Sequence, residues 1–157
     1  MSKRINFVSI ILTIIAAVIF QVGFICIDIK DTPAKAVKEF AKAYFRIDAS
    51  MAERLCEDRK TVNDTDTVDQ YIYEKTKDAA DRGFGLSYVR DKLYDARTTT
   101  INKSDGSVYV RLTARVKPPL KSFFSGEGYR EIDETIKVIN DDGKWKVCGK
   151  LFSLPGN

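Results

Sequence analysis

An uninterrupted uncharged run from Ile5 to Ile27, preceded by Lys3 and Arg4 and followed at once by Asp28, Lys30 and Asp31, constrains this chain more than any other feature. At about 1.5 Å per residue in a helix the run reaches roughly 34 Å, and a bilayer's hydrocarbon core is about 30 Å thick. It therefore predicts one transmembrane helix over 5–27, in contact with the lipid bilayer. Positive charge before the run and mixed charge after it predict a cytoplasmic tail at 1–4, a linker at 28–32 and an extracytoplasmic domain at 33–157 of a single-pass cell-membrane protein. Two alternatives also export the domain. A cleaved signal peptide has a shorter apolar stretch ending in small residues, whereas Ala16-Ala17 lie inside this one. A lipoprotein would be acylated at Cys26, but bulky Phe24-Ile25 precede it.

The residues beyond the run, about 130, suffice for one domain with its own core. The chain carries 26 basic and 22 acidic residues, and without Lys3 and Arg4 it is nearly neutral, so no nucleic-acid partner is expected. Histidine is absent. That excludes Ser-His and Cys-His nucleophile pairs and His-ligated zinc, leaving carboxylate, Tyr, Lys or Cys chemistry. Cys56 and Cys148 fall in the exported part, where an oxidising compartment favours a disulfide between them; two unpaired core thiols are the alternative.

Thr32-Pro33 is a helix start, threonine capping and proline fitting the first helical position. Val37, Phe40, Ala41, Tyr44 and Ile47 recur at helical spacing, with Lys35, Lys38, Glu39 and Lys42 on the other side. After Asp48-Ala49-Ser50, the residues Met51, Leu55 and Cys56 predict a second, shorter helix ending near Glu57, completing a helical hairpin. Arg59 to Asp66 reads as a loop with a short strand near Thr61-Val62. Thr67 and Gln70 have the spacing of a capping box for a third helix that ends at Gly83. Alternating apolar and polar residues then predict strands over 92–102, 107–117, 129–140 and 144–152. Asp105-Gly106 and Asp142-Gly143 supply the hairpin turns. Pro118-Pro119 stops the second strand, and 120–128 is expected to be a loop. Trp145, sharing a strand face with Val147 and Leu151, is expected in the core.

Two or three helices followed by an antiparallel meander resemble the nuclear transport factor 2-like superfamily over roughly 31–152. The resemblance rests on the first-helix pattern from Ala36 to Ile47, the Asp48-Ala49-Ser50-Met51-Ala52 junction and the terminal hairpin Asp141-Asp142-Gly143-Lys144-Trp145-Lys146-Val147. It implies an α+β, cone-shaped domain of about three helices packed on a curved antiparallel sheet, similar to lumazine-binding-like or uncharacterised bacterial groups, with a pocket inside the cone. Isomerase-like members of the superfamily use a tyrosine on the first helix; Phe40 stands nearest that position here, with Tyr44 one turn later. Dehydratase-like members use a histidine, which this chain lacks.

Tyr44, Tyr71 and Tyr88 are the candidate pocket residues, against the plainer expectation that helical aromatics are core. Asp95, Asp133 and Glu134 are strand carboxylates, of which one facing the pocket would be a candidate base. The stretch Asn63 to Asp69 superficially resembles a calcium loop but lacks its glycine and terminal acid, so no metal is expected. No cofactor is expected either. Arg111, Arg115, Lys117, Lys144, Lys146 and Lys150 form a basic strand face suited to solvent or an acidic partner. Phe123 and Phe124, beside the diproline, are a candidate surface for a protein partner or a second copy of the chain. The sequence thus predicts a membrane-anchored binding or assembly domain without catalysis, with a small-ligand-binding protein as the alternative and an isomerase- or dehydratase-like enzyme third.

Overall fold

The computed structural model describes residues 7–104, 106–126, 128–149 and 151–154, with the side chains of 7–8, 22–29, 121 and 124–125 left aside. The chain divides into two units, Met1–Asp31 and Thr32–Asn157. The first holds a single helix, α1 (Phe7–Ile29), whose Thr13 hydroxyl donates back to the Ser9 carbonyl at 2.8 Å. The expected transmembrane helix over 5–27 is corrected here: among the described residues, no helix is long and apolar enough to cross a membrane. The bilayer contact and single-pass orientation rested on that span. Lys3 and Arg4 lie outside the described residues.

The second unit begins with α2 (Pro33–Arg46). Thr32 caps it, its side chain accepting from the Lys35 amide at 3.1 Å. Its apolar face of Val37, Phe40, Ala41 and Tyr44 is buried. The helix ends as Ile47 turns into the left-handed region with φ 54°, a strained conformation for a β-branched residue that persists because its side chain is buried. The predicted second helix is instead a 3₁₀ turn at Ala49–Arg54 and a shorter one at Glu57–Arg59. Tertiary pairing overrides helical spacing here: Leu55 bridges to Val147, and the Cys56 amide donates to the Val147 carbonyl at 3.0 Å.

Two short strands, β1 (Thr61–Val62) and β2 (Thr65–Asp66), pair with each other and lead into α3 (Thr67–Asp81). The cap of α3 is Asp66, one residue ahead of the expected Thr67. Its carboxylate accepts from the Val68 and Asp69 amides at 2.8 and 2.9 Å, while Thr67 is buried with its hydroxyl unpartnered. A four-residue helix, α4 (Leu86–Val89), precedes the sheet.

The sheet is an antiparallel meander in the order β3 (Lys92–Ser104), β4 (Ser107–Lys117), β5 (Arg130–Asp141), β6 (Lys144–Cys148). Val108, Val110, Leu112, Ala114 and Val116 of β4 are buried at every second position, the pattern of a strand with one face on the core. The β5–β6 turn takes positive φ at both Asp142 and Gly143, 47° and 83°, which suits the right-handed strand twist. The expected loop after Pro118 forms a short helix, α5 (Pro119–Ser125), with Pro119 at its start and Gly126 closing it at φ 68°. The last strand stops at Cys148 rather than at Phe152. Gly149, at φ 84°, turns the chain, and Leu151, Phe152 and Leu154 fold back onto the core. Trp145 is half-buried against the core and not enclosed by it. The architecture is α+β, with helices packed on one face of an antiparallel sheet.

Candidate functional site

A cleft of about 570 Å³ opens between α2, α3, the end of β4, the start of β5 and the C-terminal turn. Its floor follows from the buried face of α2. Tyr44 stacks on Tyr71 of α3 at 4.8 Å between ring centroids and on Phe152 at 4.7 Å, while Phe45 meets Phe152 edge-on at 5.1 Å. Offset and edge contacts of this kind add to the gain from burial. Ile47, Val89, Val116 and Ile132 complete the apolar wall.

The polar groups of the cleft are partnered among themselves. The Tyr44 hydroxyl lies 2.7 Å from the Ser153 hydroxyl and accepts from the Ser153 amide at 3.2 Å. The Tyr71 hydroxyl donates to the Tyr44 carbonyl at 3.4 Å, and Lys75 sits 5.6 Å over the Tyr71 ring. At the rim, Arg82 pairs with Asp78 at 2.8 Å and Arg130 with Asp91 at 3.0 Å. Burial, then the neighbouring Tyr44, pushes the Tyr71 phenol far above its ordinary value, so it stays protonated throughout the neutral range.

Of the three expected pocket tyrosines, the structure brings Tyr44 and Tyr71 together and leaves Tyr88 out. Tyr88 is half-buried and stacks on Phe84 at 3.9 Å, away from the cleft lining. Asp95 and Asp133 do not line the cleft and are exposed in ion pairs with Arg115 and Arg111; the Arg111 guanidinium holds the Asp133 carboxyl below its usual range. Glu134 sits opposite buried Leu112 in the register, so it shares the inner face, but it is exposed and does not line the cleft. The basic strand face is therefore not a free patch of cations. Besides Arg111 and Arg115, Lys146 donates to the Glu53 carbonyl at 2.6 Å, and Lys117 lies 5.2 Å over the Tyr129 ring. Lys150 lies outside the described residues.

Phe123 is 82% exposed on α5; the Phe124 side chain lies outside the described ones. Cys56 and Cys148 form a disulfide with Cα atoms 5.4 Å apart. The Asp58 carboxylate is close to both sulfurs, but a disulfide leaves no thiolate to bind a metal alongside it.

Sequence reasoning missed most of the rim. Lys75, Asp78 and Arg82 follow Tyr71 at four, seven and eleven residues along α3, one helical face that spacing could have revealed. Asp91 and Arg130 meet only through the fold, and Phe152 joins the floor only because the chain turns at Gly149. Comparison of the chain with protein-family models, with curated proteins and with solved structures finds no match in any of the three.

Proposed function

We propose that this domain binds a small, predominantly apolar ligand in the cleft over Tyr44, Tyr71 and Phe152 and does not transform it. The observation that carries this is the pairing within the cleft: an aromatic floor lies beneath polar groups that are engaged with one another. A cleft of about 570 Å³ is within the size range of small-ligand sites, and its charged side chains, Lys75, Asp78, Arg82, Asp91 and Arg130, surround the aromatic floor. The Cys56–Cys148 bridge supports work in an oxidising, extracytoplasmic compartment. The order of helices before the meander, with a cleft between them, supports kinship with the nuclear transport factor 2-like superfamily, a fold that hosts both enzymes and binding domains.

The test uses a neutral apolar fluorophore, N-phenyl-1-naphthylamine. Saturable uptake that Ile132→Trp reduces about tenfold, in a variant with unchanged circular dichroism, is the expected result. Uptake indifferent to the added indole would overturn the proposal. A second reading is favoured by Phe123, which with Leu120 presents apolar side chains on one side of α5, 82% and 46% exposed: a protein partner or a second copy would dock there. Phe123→Ser should then weaken self-association in sedimentation while leaving the thermal midpoint unchanged; unaltered sedimentation would count against it.

A further inference from the structure

A second groove, of about 650 Å³, runs along the solvent side of α2 between the 87–96 segment and the start of α5. Lys38, Lys42 and Arg46 stand on it at successive intervals of four, so one row of cations spans about 12 Å of helix. Arg90 and Lys92 face them from the chain entering β3. All five are exposed. A solvated helix face usually alternates charge sign at this spacing, because like charges four residues apart destabilise a helix. Here no acid stands within the row itself. Glu39, the acid of α2, is bound to Arg54 at 2.8 Å. Asp91, the acid on the groove, pairs with Arg130 of the first cleft at 3.0 Å, and Asp48, near Arg46 and Arg90, accepts from the Ser50 amide at 2.9 Å.

The floor of the same groove is apolar, formed by Leu93, Ala96, Pro119 and Leu120. We propose that this groove binds an amphiphilic phosphate ester as a single molecule, its phosphate held by the α2 row and Arg90 and its apolar part laid on Leu93 and Leu120. Guanidinium forks match phosphate oxygens two at a time, and lysines add point charge to the same anion. The floor is what distinguishes an amphiphile from a bare phosphate, which would have no use for exposed Leu120. This groove meets the cleft over Tyr44 only at Asp91, and none of its cations or apolar residues lines that cleft.

The experiment titrates the full chain with dihexanoyl phosphatidic acid kept monomeric, with dihexanoyl phosphatidylcholine, and with inorganic pyrophosphate. Saturable binding of the phosphatidic acid, at least about tenfold tighter than the phosphatidylcholine, is expected. Lys42→Glu should weaken it at least about tenfold, whereas Lys42→Arg should preserve it. Leu120→Ser should weaken the amphiphile and leave pyrophosphate unchanged, and every variant should keep its uptake of N-phenyl-1-naphthylamine in the first cleft. Four outcomes would overturn the proposal: equal binding of the two lipids; pyrophosphate binding as tight as the amphiphile's; indifference to Lys42→Glu; or binding to phosphatidic-acid vesicles that Lys42→Glu abolishes, without binding of the monomer, which would make the groove a membrane-surface patch.

Discussion

Tyr71 joins the stability of the domain to its candidate site. Its ring forms part of the cleft floor, and burial raises its phenol well above the ordinary tyrosine value of about 10. The consequence for pH has a definite sign. Below about pH 10 the phenol is protonated in both folded and unfolded chains and adds no pH dependence. Above that, the unfolded chain releases the proton and the folded chain keeps it, so stability falls as pH rises. At pH 11 the loss from this one group is on the order of 1 kcal/mol. Tyr71→Phe should cost about 1 kcal/mol at neutral pH through the lost hydroxyl contact with Tyr44, and should flatten the alkaline decline. Urea unfolding at pH 8 and pH 11 measures both; an equal decline in the two proteins would remove Tyr71 from the account. At this scale the sequence was partly legible. Helical spacing singled out Tyr44 and Tyr71 because both lie on the buried faces of regular helices. The same reasoning admitted Tyr88, whose four-residue helix is too short to carry a periodic signal.

At the scale of elements, legibility followed how far each segment's conformation depends on its own neighbours. The strand β4 and the α2 start were readable because alternation, proline and a threonine cap act locally. The second helix was misread because Leu55 and Cys56 are held by Val147, ninety-odd residues away in sequence. The α3 cap moved by one residue because Asp66 reaches two amides while Thr67 is drawn inward. Asp66→Ala should therefore destabilise the domain by about 1 kcal/mol. Thr67→Val should be neutral or stabilising, since its hydroxyl has no partner to lose. Chemical denaturation of the pair decides which residue is the cap; the reverse order of effects would return the role to Thr67. The disulfide ties the 3₁₀ segment to the end of β6, so replacing Cys56 and Cys148 together with Ser should cost about 2–5 kcal/mol. A thermal midpoint insensitive to that double change, or to reductant, would mean that the bond carries little of the stability.

For the whole molecule, what the sequence conceals is convergence. The cleft needs Phe152 and Ser153 from the C-terminal turn, Arg130 from β5 and Asp91 from the entrance to β3, and no local pattern announces that these meet. Histidine's absence was informative at this scale, since it narrowed the chemistry before any geometry was known. In the cleft, Asp78 and Asp91 are engaged with Arg82 and Arg130, and burial holds the Tyr71 phenol protonated. The uncharged N-terminal run misled, because its overall composition suggested a span that no described helix supplies. The central claim is that the cleft over Tyr44, Tyr71 and Phe152 is where a ligand sits. Backbone amide chemical-shift mapping during titration with N-phenyl-1-naphthylamine tests it most directly. The account predicts saturable shifts concentrated at 71–82, 89–91, 130–132 and 152–153; shifts confined to other parts of the domain, with those amides unmoved, would contradict it.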